Sequence, residues 1–155
     1  MENQLYPDRR ALTDAWLKSA RRWLGTPYRH QASKHQIGAD CIGLVAGVWR
    51  DVYANAPSYK ANYSKDWAEV GAEDRILAAC ELHCERRKSL DAEAGDLLVF
   101  RMRSEALAKH IGIASSSIQM IHAIERHAVQ EVPISSWWRR RLVGVFRPPL
   151  NFPKA

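Results

Sequence analysis

Long apolar segments are missing from this 155-residue sequence, and its mean hydropathy is −0.38. No stretch approaches the roughly 20 apolar residues that cross a bilayer, and residues 1–20 lack the apolar core of a signal peptide. The sequence therefore predicts no membrane span and cytoplasmic synthesis without a signal peptide. Internal repeats, low-complexity segments and linkers are also missing, so we expect 1–155 to form a single domain.

Cysteine is scarce, with only Cys41, Cys80 and Cys84 present. An odd number without an export signal argues against a disulfide framework. Cys80 and Cys84 share one face of a predicted helix, with His83 between them. Tetrahedral zinc usually takes ligands from two separated pairs, so buried packing is favoured over metal binding. We predict no metal and no other cofactor.

Acidic residues are fewer than basic ones, at 17 against 23, which gives a net charge of +6. This balance favours anionic surroundings such as nucleic acid, acidic wall polymers or anionic lipid, without choosing among them. Residues 137–141 combine two tryptophans with three arginines, a pattern found in binders of such polymers. The alternative is a solvated edge whose tryptophans cover the core. Because no known nucleic-acid motif is present, a nucleic-acid-binding module is only an alternative interpretation.

Helical periodicity dominates the first half of the chain, and alternating strand patterns dominate the second. This order is typical of the α+β class. The segment 55–72 is expected to be irregular. The predicted helices are 8–24, 41–54 and 73–87, and the predicted strands are 97–102, 110–114, 117–123, 128–132 and 142–147.

Cys41 is the residue best placed to act as a catalytic nucleophile. It stands at the predicted first turn of the second helix, where the partial positive charge of the helix N-terminus favours a thiolate. A thiolate is the nucleophile that acyl-transfer enzymes need. The backbone N–H of Cys41 and the hydroxyl of Tyr28, thirteen residues earlier, are candidate donors to an oxyanion.

Two histidines, His110 and His122, fall on neighbouring predicted strands joined by a turn of three serines. If the hairpin is centred on Ser116, the two residues face each other directly, with Cβ atoms ~5 Å apart. One imidazole could then act as a base for Cys41 while the other orients it. We assign His110 as the base and His122 as the orienting residue.

Four blocks of this sequence together resemble the NlpC-type, papain-like cysteine peptidases, which cleave peptide bonds in the stem peptides of the bacterial cell wall. The resemblance implies helices packed on a curved antiparallel sheet of about five to six strands. It implies catalysis by Cys41, His110 and His122, with Tyr28 and Asp40 in the oxyanion or substrate-binding region. It also implies cleavage of the bond between D-glutamate and the diamino acid. Ile42 departs from the serine usual there. The blocks are residues 25–28 with 38–45, 94–100, 110–113 and 120–123.

Residues 30–33, 48–53 and 63–69 look most like the branch of this family encoded with phage tails and gene transfer agents. That resemblance implies a tail-tip component of a phage-like particle, with tail or hub proteins as partners and delivery to the cell wall by the particle. A structural tail component that keeps the fold without essential catalysis is the alternative. The long interval before His110 suggests an insertion at about 55–92, which could cap the groove or serve as a docking surface.

Overall fold

A computed structural model describes residues 3–58, 75–102 and 109–153. Most of the segment predicted to be irregular, 55–72, lies outside the described residues. Within the described ranges, no helix has both the length and the apolar character needed to cross a membrane.

The described residues form four helices and ten strands. The helices are α1 (Arg9–Arg22), α2 (Cys41–Tyr53), α3 (Arg75–His83) and α4 (Ser136–Arg139). The strands are β1 (Asn3–Leu5), β2 (Ser33–Lys34), β3 (Gly38–Ala39), β4 (Glu85–Arg86), β5 (Leu97–Phe100), β6 (His110–Ala114), β7 (Gln119–His122), β8 (Gln130–Pro133), β9 (Leu142–Arg147) and β10 (Asn151–Pro153).

Six of the strands in the described ranges make one antiparallel sheet, in the order β4-β9-β5-β6-β7-β8. The predicted α+β class and a sheet of five to six strands are therefore confirmed. Two small sheets pair β1 with β10 and β2 with β3. These short pairs were not predicted, because strands of two or three residues carry too little periodicity to register in a sequence.

Helices α1 and α2 cover one face of the large sheet. Their apolar stripes meet strand residues such as Val99 and Ile113 in one buried cluster. Gly47 lets the two helices approach closely, since a Cβ atom there would lie 2.1 Å from the ring of Trp23. Asp51 joins the helices by accepting hydrogen bonds from Ser19 Oγ at 2.7 Å and Trp23 Nε1 at 3.0 Å.

The opposite face of the sheet has a second, smaller core. Leu98, Phe100, Ala114 and Met120 point to this side, where Trp138 of α4 packs against them. Residues in a strand alternate between faces, so the even-numbered positions of β5, β6 and β7 line this core. His110 and His122 therefore belong to the face that α4 covers.

Helix α3 ends at His83, four residues before its predicted end. The chain leaves the helix because Glu85 and Arg86 pair with β9, at the edge of the sheet. Strands β9 and β5 separate this edge from β6, which carries His110. Within the predicted insertion, residues 85 and 86 therefore extend the far edge of the sheet, away from the histidines.

Candidate active site

Helix α2 begins at Cys41, as the sequence predicts, and Asp40 is its N-cap. One carboxylate oxygen of Asp40 accepts a hydrogen bond from Gly43 N at 2.8 Å, and the other accepts from Gln31 N at 2.7 Å. Asp40 is buried, and a carboxylate that accepts from both sides cannot donate to an oxyanion. In this structure the Asp40 carboxylate caps the helix turn that presents Cys41, and its predicted role in the oxyanion or substrate-binding region stays a prediction.

The loop 31–33 packs directly on the first turn of α2 at Gly43. A Cβ atom on Gly43 would lie 1.8 Å from the carbonyl oxygen of Ala32. Ser33 Oγ donates to the carbonyl of Gly43 at 2.6 Å, and Arg50 donates to Ser33 Oγ, also at 2.6 Å. Gly43 is therefore required by space, and the loop and the helix start are held as one unit.

Tyr28 lies beside the segment that leads into α2. It forms an isolated parallel bridge with Ala39, supported by hydrogen bonds from Ala39 N to the Pro27 carbonyl at 3.0 Å and from Arg29 N to the Ala39 carbonyl at 3.2 Å. The side chain is half-buried. Burial, with smaller contributions from Cys41, Asp40 and Glu125, raises the pKa of Tyr28 to about 12. Its hydroxyl is therefore a protonated donor close to Cys41.

The sulfur of Cys41 is held against the start of β6. The thiol donates to the carbonyl oxygen of Lys109 at 3.9 Å, and the backbone N–H of Ile111 also interacts with it. Lys109 and Ile111 flank His110 in the chain. The sulfur thus lies against the strand segment that carries the predicted base, while the residue as a whole keeps part of its surface exposed.

The thiolate expected from the helix N-terminus is not the resting state of Cys41. Burial and, to a smaller extent, the charge of Asp40 raise the pKa of its thiol to about 12. Backbone N–H groups, including that of Cys41 itself, lower the pKa only in part. Desolvation outweighs the helix dipole here, because removing water from an anion costs more than a half-charge at a helix end returns. The free chain holds a neutral thiol at neutral pH.

His110 and His122 meet as predicted, although the register of their hairpin differs. His110 Nε2 lies 2.9 Å from His122 Nδ1, and the rings are edge-to-face with centroids 5.1 Å apart. Ile113 pairs with Ile121, so the hairpin is centred on residue 117 and not on Ser116. His110 and His122 are therefore diagonal neighbours. The error left both rings on one face because it moved the pairing by two residues, an even number.

Trp138 is the site residue that the sequence analysis missed. Its ring stacks on His110 with centroids 5.1 Å apart at 29°, and meets His122 edge-to-face at 5.2 Å. The sequence offers two interpretations of the tryptophans in 137–141, a polymer-binding basic patch or a cover over the core. The second of those interpretations is confirmed for Trp138, which is buried, whereas Trp137 is exposed beneath the guanidinium of Arg141.

Comparison with known proteins identifies the family of this arrangement. The sequence profile of the NlpC/P60 family matches residues 25–147. The chain belongs to the NlpC/P60 family. The predicted resemblance is thereby confirmed, and the match spans every residue of the candidate site.

This NlpC/P60 chain is similar to murein DD-endopeptidase MepH of Escherichia coli K12, with 26% identity over 128 residues that cover 80% of the chain. It spans only about two fifths (41%) of the length of that curated relative. A solved NlpC/P60 protein from Bacillus cereus shares the fold, with a TM-score of 0.64, 16% identity and coverage of 88% of this chain and 40% of the other. The NlpC/P60 domain of peptidoglycan hydrolase SagA gives a TM-score of 0.59 and 20% identity, over 86% of this chain and 97% of that domain.

The buried imidazoles of this NlpC/P60 chain make its stability sensitive to acid. Burial, with a smaller contribution from His122, lowers the pKa of His110 from an ordinary 6.5 to about 3. Burial and a smaller contribution from His127 lower the pKa of His122 to about 4. Below pH 6.5 the two imidazoles bind protons in the unfolded chain but stay neutral in the folded chain. The stabilisation is thus complete above pH 6.5 and is lost as the pH falls towards 3–4.

We expect the free energy of unfolding to fall by roughly 2–3 kcal/mol between pH 7.5 and pH 5.5, up to about 1.4 kcal/mol per histidine and pH unit. Urea denaturation at the two pH values measures this. In His122→Gln the free energy of unfolding should fall by about half as much as in the wild type over the same pH interval. His83, whose pKa is also lowered by burial, contributes equally to both proteins. Equal pH sensitivity of the variant and the wild type would contradict this explanation.

Proposed function

We propose that this chain is a cysteine peptidase that hydrolyses peptide bonds in the stem peptides of bacterial peptidoglycan. The observation that carries the proposal is the alignment of Cys41, at a helix start, with the strand that presents the hydrogen-bonded His110–His122 pair. Two relatives support the substrate class by name, a murein endopeptidase and a peptidoglycan hydrolase.

In the proposed reaction, the neutral thiol of Cys41 gives its proton to His110 as the sulfur attacks the scissile carbonyl carbon. His110 Nε2 is occupied by its contact with His122 Nδ1, so Nδ1 is the nitrogen that receives the proton. The neutral state of both rings is suited to this role, because a base must begin unprotonated. The Cys41 thiol and the imidazole pair therefore start neutral and become charged only during attack.

The oxyanion that forms on the carbonyl oxygen needs donors. The backbone N–H of Cys41, in the first turn of α2, has no partner inside the helix and is one candidate. The Tyr28 hydroxyl is the other, because its raised pKa keeps it protonated. His110 then protonates the leaving amine, and the C–N bond breaks to leave a thioester on Cys41. Water, deprotonated by His110, attacks the thioester, releases the acid and restores the thiol.

The bond we propose is the γ-D-glutamyl–diamino acid bond, which the resemblance in the sequence implies. The name of MepH points instead to the D,D cross-link. Digestion of purified sacculi followed by mass spectrometry separates the two. Cleavage at D-glutamate shortens the stems on intact glycan to dipeptides. Cleavage of cross-links converts dimers into monomers with stems of full length, and that result would overturn the proposed bond while keeping the peptidase.

We also propose that a phage-like particle or gene transfer agent carries this chain at its tail tip. The support is the sequence resemblance of residues 30–33 and 48–53 to that branch of the family. In this setting the peptidase would open the wall locally. Immunodetection of the chain in purified particles tests the location, and its exclusive recovery outside particles would overturn it.

A further inference from the structure

Helix α4 covers the smaller core of the sheet, and its Trp138 also contacts both histidines of the candidate site. Trp138 is nearly buried, with 9% of its surface exposed. Its ring touches four others, those of Phe100, His110, His122 and the exposed Trp137. We propose that Trp138 is a positioning residue, which holds His110 and His122 in their mutual hydrogen bond and excludes water from one side of the pair. This inference rests on the proposed peptidase function and deepens it.

The orientation of the indole suits this role. It lies nearly parallel to the His110 ring, at 29°, and so covers the face of that imidazole. Both nitrogens of an imidazole lie in the ring plane, so a face contact leaves them available, one for His122 and the other for Cys41. The same stack opposes rotation of the ring about its Cβ–Cγ bond. An aliphatic side chain of similar volume would fill the space without the flat contact.

Trp138 can position the histidines because α4 is itself tied on two sides. Arg139 Nη2 donates to the carbonyl of Ser117, in the turn that joins β6 to β7, at 3.3 Å. On the other side, Arg101 N donates to the carbonyl of Arg141 at 2.8 Å, next to the end of β5. The short helix therefore bridges the hairpin that carries both histidines and the strand beside it. Two residues of the basic segment 137–141 make this bridge, Arg139 through its side chain and Arg141 through its backbone carbonyl.

The electrostatics of the pair agree with the geometry. Desolvation is the largest cause of the lowered pKa of both histidines, and Trp138 is among the side chains that desolvate them. His127 also acts on His122, and the thiol of Cys41 lies against the carbonyl of Lys109, the residue before His110. Opening the covered side to water should make both imidazoles easier to protonate.

The test compares Trp138→Leu with Trp137→Leu, a matched change at the exposed neighbour on the same helix. NMR titration of the His110 and His122 ring protons is the first readout. In Trp138→Leu we expect both titration midpoints to move up towards pH 6.5, and in Trp137→Leu we expect them to stay at the wild-type positions. The second readout is cleavage of a stem peptide, with kcat lowered about tenfold or more and KM within twofold in Trp138→Leu alone.

Trp138→Phe covers the case in which the leucine variant fails to fold. It keeps a flat ring over His110 and should recover most of the wild-type kcat, with titration midpoints between those of the leucine variant and the wild type. The proposal is overturned if a folded Trp138→Leu titrates and turns over as the wild type does. If the leucine variant does not fold, Trp138→Phe overturns the proposal when its titration midpoints equal those of the wild type. If the wild type cleaves no stem peptide, the proposed function fails, and the titration still decides the role of Trp138.

Discussion

Gly43→Ala is expected to destabilise the fold by about 3 kcal/mol or more and to abolish any activity that depends on Cys41. The new Cβ atom would lie 1.8 Å from the Ala32 carbonyl oxygen and 3.1 Å from the capping oxygen of Asp40. Neither atom is free to move, since one is backbone and the other belongs to a carboxylate that two hydrogen bonds hold, one on each oxygen. The loop 31–33 must therefore move off α2, which opens the helix start and displaces Cys41.

Urea denaturation followed by circular dichroism measures this loss, with Gly25→Ala as the matched control. Gly25 has a φ of 85°. Apart from its two chain neighbours, no residue in the described part of the chain places an atom within 4 Å of where its Cβ would be. Alanine at this position should lower the free energy of unfolding by about 1 kcal/mol, because only the left-handed backbone conformation disfavours it. If the two variants lost the same stability, the close approach at Gly43 would not be the constraint that we describe.

The sequence was most informative where a pattern repeats over a whole element. The start of α2 at Cys41 and the bounds of β6 and β9 agree with prediction, because each carries a sustained apolar period. The end of α3 was missed because pairing of Glu85 and Arg86 with β9 is a tertiary interaction. No local signal in the chain records that pairing.

The candidate site was predictable as a set of residues and less so as chemistry. Cys41, His110 and His122 could be brought together from helix and hairpin patterns alone. The protonation state of Cys41 could not be predicted, because burial is a property of the packed molecule. Burial raises the pKa of Cys41 and so favours a thiol over the expected thiolate. Trp138 escaped for the same reason, since its contacts with the two imidazoles come from a helix of four residues.

Cys41→Ala is expected to lower kcat/KM for stem-peptide cleavage at least about 1,000-fold, because the thioester cannot form without the sulfur. The stability of the variant should change little, since Cys41 is half-buried and alanine is well tolerated in the first turn of a helix. Cys84→Ala is the matched control. That thiol is also half-buried with its pKa raised by burial, and it lies outside the site.

The most direct measurement is the release of soluble peptide from purified sacculi by the wild type, Cys41→Ala and Cys84→Ala, at equal concentration and equal folded fraction. We predict release by the wild type and Cys84→Ala, with none above background from Cys41→Ala. Release by Cys41→Ala at the wild-type rate would show that this sulfur is not the nucleophile and would contradict the account.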